Sequence, residues 1–171
     1  MGRNKRYRAL LLDRDGVINI DKHYVYRVTD CEFVPSIFKL ARLAKLRGYK
    51  LIVVTNQSGI ARGLFTEQEY YSLRDYIHAC FKQQGCSLDG EYYCPYHTEG
   101  YGSYKRFSYD RKPNPGMLLR AAEEHYLDLA HSILVGDHLS DVEAGARAGV
   151  GLRFLVNERT LSLVGRFLGW C

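Results

Sequence analysis

The chain has 171 residues, enough for a single domain around one sizeable core, and 46% hydrophobic with 25% charged residues is the composition of a soluble globular protein. No apolar stretch approaches the roughly 20 residues that span a bilayer, and the basic start (Arg3, Lys5, Arg6, Arg8) runs into only Ala9 to Leu12, too little for an export signal. The net charge of +5 suits an anionic partner without naming one, and five scattered cysteines (Cys31, Cys80, Cys86, Cys94, Cys171) argue for free thiols rather than a disulfide framework, so a cytoplasmic protein is expected.

The first element is Arg8 to Gly16, an apolar run that ends in two carboxylates, Asp13 and Asp15, and a glycine that permits a sharp turn. It predicts a short buried strand of a parallel sheet, with the acids at the carboxyl edge where such sheets bind ligands. Alone, the two acids are equally well read as loop caps. Residues 17 to 24 follow and should line the crevice. Pro35 opens a helical pattern (Ile37, Leu40, Ala41, Leu43, Ala44, Leu46) that stops at Gly48. Tyr49 to Val54 predicts a second buried strand, ending in Thr55, Asn56, Gln57, Ser58 and Gly59.

Thr66 and Glu69 form a capping-box signature for a helix from about Glu67 to Gln84, with Tyr70, Leu73, Ile77 and Phe81 at helical spacing. Gly90 to Tyr93 suits a short strand. From Cys94 to Pro115 the chain has no period, and a loop of that length within a domain points to function or disorder. A helix from Pro115 to about Tyr126, a strand from Ser132 to Val135 ending at Gly136 and Asp137, a short helix from Asp141 to Ala148 closed by Gly149, a strand from Leu152 to Val156 and a helix from Thr160 to Leu168 complete the chain. The alternation predicts an α/β fold, a Rossmann-like, doubly wound and mostly parallel sheet in one domain spanning 1–171.

Three strand ends then bring Asp13, Asp15, Thr55, Asn56, Asp137 and Asp141 to one crevice. Such a concentration of carboxylates needs a hard cation, and Mg²⁺ favours a few carboxylates together with water and phosphate oxygens. Lys112, at the end of the long loop, is suited to balancing phosphate charge, and Thr55 and Asn56 can add hydrogen bonds to it.

Asp13-Arg14-Asp15-Gly16, Thr55, Lys112-Pro113 and Gly136-Asp137 with Asp141 resemble, in order, the four motifs of the haloacid dehalogenase-like phosphatases. The wording of residues 13 to 19, 55 to 63, 92 to 95 and 111 to 119 resembles the D-glycero-D-manno-heptose 1,7-bisphosphate 7-phosphatases over nearly the whole chain. The resemblance implies a Mg²⁺-dependent phosphoric monoester hydrolase that removes the 7-phosphate to leave heptose 1-phosphate, in a heptose pathway toward lipopolysaccharide or nucleotide-activated heptose. It implies Asp13 as nucleophile, Asp15 as general acid and base with a raised pKa, and Thr55 and Lys112 as stabilisers of the phosphoryl group. Asp13, the Asp15 backbone carbonyl and Asp137 would hold Mg²⁺, supported by Asp141 or Ser140. Asp21, Lys22, His23, Tyr24, Asn56, Gln57, Ser58 and Arg111 would recognise the substrate. His138 stands where the family usually has Lys, which leaves one substrate contact in question.

Too few positions separate Gly16 from Thr55 for a large cap domain, so an open crevice and loop-based selectivity are expected. The competing activities are a histidinol-phosphate phosphatase and a nucleic-acid 3′-phosphatase. The expected partner is a small phosphorylated sugar, with no nucleic acid or membrane, and the protein is expected to be a monomer. Arg62 reads as a surface charge on the loop before Thr66 in preference to a phosphate contact. Related enzymes fasten the loop before Lys112 with zinc through Cys-x-His and Cys-x-Cys. Here Cys94 remains, but Tyr96, Ser108 and Asp110 occupy the other positions. One thiolate is a poor basis for a structural zinc site. Zinc is expected to be absent, with Tyr93, Tyr96, Tyr101, Tyr104 and Tyr109 packing together and Asp110 paired to an Arg.

Overall fold

In a computed structural model describing residues 6–157 and 159–169, five strands form one parallel sheet in the order β3-β2-β1-β4-β5. They are β1 (Ala9–Leu12), β2 (Lys50–Asn56), β3 (Gly90–Cys94), β4 (Ile133–Gly136) and β5 (Leu152–Leu155). The helices are α1 (Ile37–Leu46), α2 (Ser58–Ala61), α3 (Glu67–Gln83), α4 (Gly116–Glu124), α5 (Leu139–Ala148) and α6 (Leu161–Val164). Arg3, Lys5 and Cys171 lie outside the described residues. Arg8 is packed rather than free, its guanidinium 4.4 Å from the centre of the Tyr49 ring.

The two-residue period of β1 decides the layering. Leu10 and Leu12 face α1, α3 and α6 in one core cluster, and Ala9 and Leu11 face α4 and α5 in another. With both faces covered, a continuous apolar strand is the stable choice. Thr66 accepts from the Glu69 backbone while Glu69 accepts from the Thr66 backbone, so α3 begins where the capping signature placed it.

The differences lie at element ends. The expected terminal helix shortens to α6 followed by a 3₁₀ turn at Gly165–Leu168. The four-residue α2 has no sequence signature long enough to detect. Strand β5 is an edge strand, with Leu152 and Leu155 exposed. The long loop carries one 3₁₀ turn, Gly102–Tyr104. Residues 17–54 hold a loop, a 3₁₀ turn, α1 and β2, which leaves the carboxyl edge of β1 open to the crevice. No helix among the described residues is long and apolar enough to cross a membrane.

Candidate active site

The carboxyl ends of β1, β2 and β4 are neighbours, and they open into a crevice of about 300 Å³. Asp13 and Asp15 line it from β1, and Thr55, Asn56, Gln57 and Ser58 from β2 and the start of α2. Arg111 and Lys112 come from the long loop, His138, Ser140 and Asp141 from the start of α5, and Asp21, His23 and Tyr24 from the loop after β1. Asp137 joins from beside Asp13: one ligand atom each of Asp13, Asp137, His138 and Asp141 lie within 4.8 Å of one another. Gly16 makes this approach possible. Its φ is +78°, and a Cβ there would come within 2.2 Å of an Asp137 carboxylate oxygen.

Lys112 is the buried counter-charge. Its Nζ lies 3.1 Å from Asp13, 2.5 Å from Asp141 and 2.8 Å from the Val54 carbonyl. Burial works against the ammonium, but Asp13 and Asp141 outweigh it and push its pKa up. One buried cation does not balance the acids around it. Burial, relieved only in part by Lys112 and reinforced by Asp141, Asp137 and Asp15, lifts Asp13 from 3.8 to about 7. Burial also raises Asp137, against the hydrogen bond from His138. That His138 bond, at 2.8 Å, raises the imidazole in turn. A chain that gathers the oxygens of Asp13, Asp137 and Asp141 this closely, with burial raising Asp13 and Asp137, fits a hard divalent cation, which takes oxygen ligands and neutralises them.

Three side chains expected to recognise a substrate are bonded to the protein instead, Gln57 and Asn56 within the crevice lining and Lys22 outside it. Gln57 is 3% exposed and its amide donates to Asp15 (3.0 Å) and Thr55 (2.9 Å). Asn56 exchanges two hydrogen bonds with the Lys112 backbone (3.0 and 3.1 Å), which ties the long loop to β2. Lys22 does not line the crevice and pairs with Glu32 at 2.9 Å, because its long side chain reaches that carboxylate across the solvated loop. His23 and Tyr24 do line it, both with positive φ (59° and 62°), an arrangement braced by the His23 N–H on Asp21.

The surroundings of Asp15 differ from the acid-crowded environment expected. Its carboxylate accepts from Arg14, Asn19 and Gln57 side chains. Arg14 and Asn19 are buried, and no role was assigned to either from sequence. The available signal was a charge set within a buried strand end, which must find a partner.

The long loop is built on hydrogen bonds. Glu67 accepts from Tyr93 (2.7 Å) and Tyr104 (2.9 Å), Tyr96 and Tyr104 rings lie 6.0 Å apart, and Arg120 pairs with Asp110 at 2.8 Å. Tyr101 and Tyr109 are exposed and stand outside this cluster, the former at 73%. Cys94 is buried, its thiol directed at the Tyr96 carbonyl. Arg62 lies against His97 and Glu99, each at 3.4 Å, rather than free on the surface.

A family model described as HAD-hydrolase-like matches residues 109–156. The chain is 50% identical over 158 residues to the D-glycero-alpha-D-manno-heptose-1,7-bisphosphate 7-phosphatase of Burkholderia mallei, covering 92% of this chain and 84% of the relative. It is 46% identical over 149 residues to the D-glycero-beta-D-manno-heptose-1,7-bisphosphate 7-phosphatase of Vibrio cholerae, covering 86% and 80%. Among solved structures it is similar to the D,D-heptose 1,7-bisphosphate phosphatase from B. bronchiseptica complexed with magnesium and phosphate, with a TM-score of 0.76 and 31% identity over 92% of this chain and 87% of that one.

Proposed function

The chain belongs to the heptose-1,7-bisphosphate 7-phosphatase family of HAD-like hydrolases, and from that premise we propose how its own residues carry the reaction. The enzyme is a Mg²⁺-dependent phosphatase that hydrolyses the 7-phosphate of D-glycero-D-manno-heptose 1,7-bisphosphate to give heptose 1-phosphate. The observation that carries the assignment of roles is the buried Lys112 bridge between Asp13 and Asp141 at the head of the crevice.

Asp13 attacks phosphorus, the bond to the sugar oxygen breaks, and Asp15 gives that oxygen its proton. Asp15 then takes a proton from water as the water oxygen attacks the aspartyl-phosphate, which releases phosphate and restores Asp13. Lys112 and the Thr55 hydroxyl stabilise the transferring phosphoryl oxygens. The Asp13 and Asp137 carboxylates with the Asp15 carbonyl are the set that would hold Mg²⁺, which supplies charge neutralisation when bound. Asp141 keeps Lys112 in place and accepts the His138 N–H.

Arg111, half-buried in the crevice wall, has a planar fork suited to the phosphate that is not hydrolysed. Tyr24, His23, Asp21, Ser58 and His138 form the remaining rim, and the side chains of Asn56, Gln57 and Lys22 act on the protein instead. Arg111→Ala should raise KM for the bisphosphate at least about tenfold, the scale of a lost charged hydrogen bond, and leave KM for p-nitrophenyl phosphate nearly unchanged. Equal losses would assign Arg111 to the chemical step. Phosphate release from both anomers of the bisphosphate, from histidinol phosphate and from a 3′-phosphorylated oligonucleotide tests the substrate itself. A preference for either competitor overturns the assignment.

The protein further reads as a cytoplasmic monomer that engages neither nucleic acid nor membrane. It also reads as zinc-free: Asp110 pairs with Arg120, and Glu67 with its tyrosines ties down the loop that the family resemblance would fasten with zinc. Elemental analysis of protein purified without added metal should find well under one zinc per chain. A stoichiometric zinc lost in Cys94→Ser together with loop order would contradict this.

A further inference from the structure

Arg14 is the largest of the fully buried side chains among the described residues, 1% exposed. Its Nη2 donates to both oxygens of Asp15, at 3.0 and 2.8 Å, and to the Val25 carbonyl at 2.7 Å. Its Nε and Nη1 are buried without an acceptor. The guanidinium carbon sits 5.8 Å from the centre of the Tyr70 ring. Tyr70, fully buried, donates its hydroxyl to Glu91 at 2.5 Å, and the other Glu91 oxygen meets His78 Nε2 at 2.8 Å. A chain of polar contacts therefore runs from the crevice through the core to the surface of α3.

Stability alone is a poor reason for this arrangement. A buried guanidinium with two unused donors carries a desolvation cost that an apolar side chain of similar volume avoids. What the guanidinium secures is the carboxylate of Asp15, whose two oxygens are completed by Asn19 (2.9 Å) and Gln57 (3.0 Å). Three donors at fixed directions hold the plane of that carboxylate, and proton transfer depends on heavy-atom placement.

We propose that Arg14 is a positioning residue for proton transfer to the leaving group: it acts through Asp15, and Tyr70, Glu91 and His78 hold Arg14 in place. The inference rests on Asp15 as the acid/base group of the preceding section. The leaving group provides the readout, because a sugar alkoxide needs a proton and p-nitrophenolate does not.

The test is the rate of leaving-group release in a single turnover of the Mg²⁺-loaded full chain. In Arg14→Met it should fall about 10²-fold or more on heptose bisphosphate, the scale of general-acid catalysis, and less than about threefold on p-nitrophenyl phosphate. Arg14→Lys should recover part of the loss. Half-saturating Mg²⁺ should match wild type. Equal losses on the two esters overturn the proposal. If Arg14→Met fails to fold by circular dichroism, Glu91→Gln, which removes the carboxylate behind Tyr70, carries the test: a smaller selective loss on the alkyl ester supports it, and no selectivity overturns it. A wild-type chain that cleaves a simple primary alkyl phosphate but not the heptose ester defeats the substrate reading alone, and the same comparison is then made on the simple ester.

Discussion

Asp13→Asn is expected to lower kcat by about 10⁴ to 10⁶, the range seen when a covalent nucleophile is removed, while leaving the fold intact or more stable. The amide does not attack phosphorus and offers no anionic oxygen to a metal. Its carbonyl oxygen can still accept from Lys112 and from the Arg14 N–H, both of which meet Oδ1 of Asp13. The native carboxylate is a strained ion: burial and the acids around it hold its pKa near 7. Neutralising it relieves that repulsion, so the metal-free variant should melt at or above the wild-type temperature at pH 8. Phosphate release and thermal melts on one preparation check both halves. Activity above a few per cent would refute the covalent route, and a collapsed melting temperature would make Asp13 a structural residue.

The backbone frame was legible because its signals are local and physical. Apolar runs ending in polar groups marked β1, β2 and β4, and the Thr66–Glu69 pair marked the start of α3. The order of motifs places the acids, Thr55 and Lys112 at one crevice; Asp13, Asp15, Asp141, Thr55 and Lys112 line it, and Asp137 stands beside Asp13. What the sequence left open was the direction of side chains beyond the strand ends. Asn56 and Gln57 stand beside Thr55 in sequence, but the turn into α2 directs their amides to Lys112 and Asp15. Lys22 shares a loop with His23, but reaches Glu32 instead of the crevice. Arg14 lies between two crevice acids, at the bend that follows β1, and its side chain goes into the core to meet Asp15 and the Val25 carbonyl. Such choices depend on partners tens of residues away: Tyr70 is beneath Arg14 only because α3 packs on that face of the sheet.

Chelation should abolish activity, Mg²⁺ should restore it, and the same ion should stabilise the fold in a pH-dependent way. In the metal-free chain Asp13 binds its proton more tightly folded than unfolded, with the folded pKa raised from 3.8 to about 7 by burial first and by the neighbouring acids next. A carboxyl raised in this direction destabilises the fold fully above about pH 7, and the penalty lifts as pH falls from there toward 3.8. Asp137, raised by burial, acts in the same sense. The metal-free protein should therefore gain stability on mild acidification, the opposite of a fold held by depressed carboxylates. Mg²⁺ competes with those protons for the same oxygens. At a hundredfold excess over Kd, binding to the folded state alone contributes about 2.7 kcal/mol, or roughly 5–10 °C in Tm for a chain of this size. That shift should be near full at pH 8, small at pH 5.5, and lost at both in Asp13→Asn. Melting curves with EDTA and with Mg²⁺ at the two pH values check it. Phosphatase activity that survives EDTA, or a Mg²⁺ shift of equal size at both pH values, would remove the metal from the acid cluster around Asp13 and Asp137.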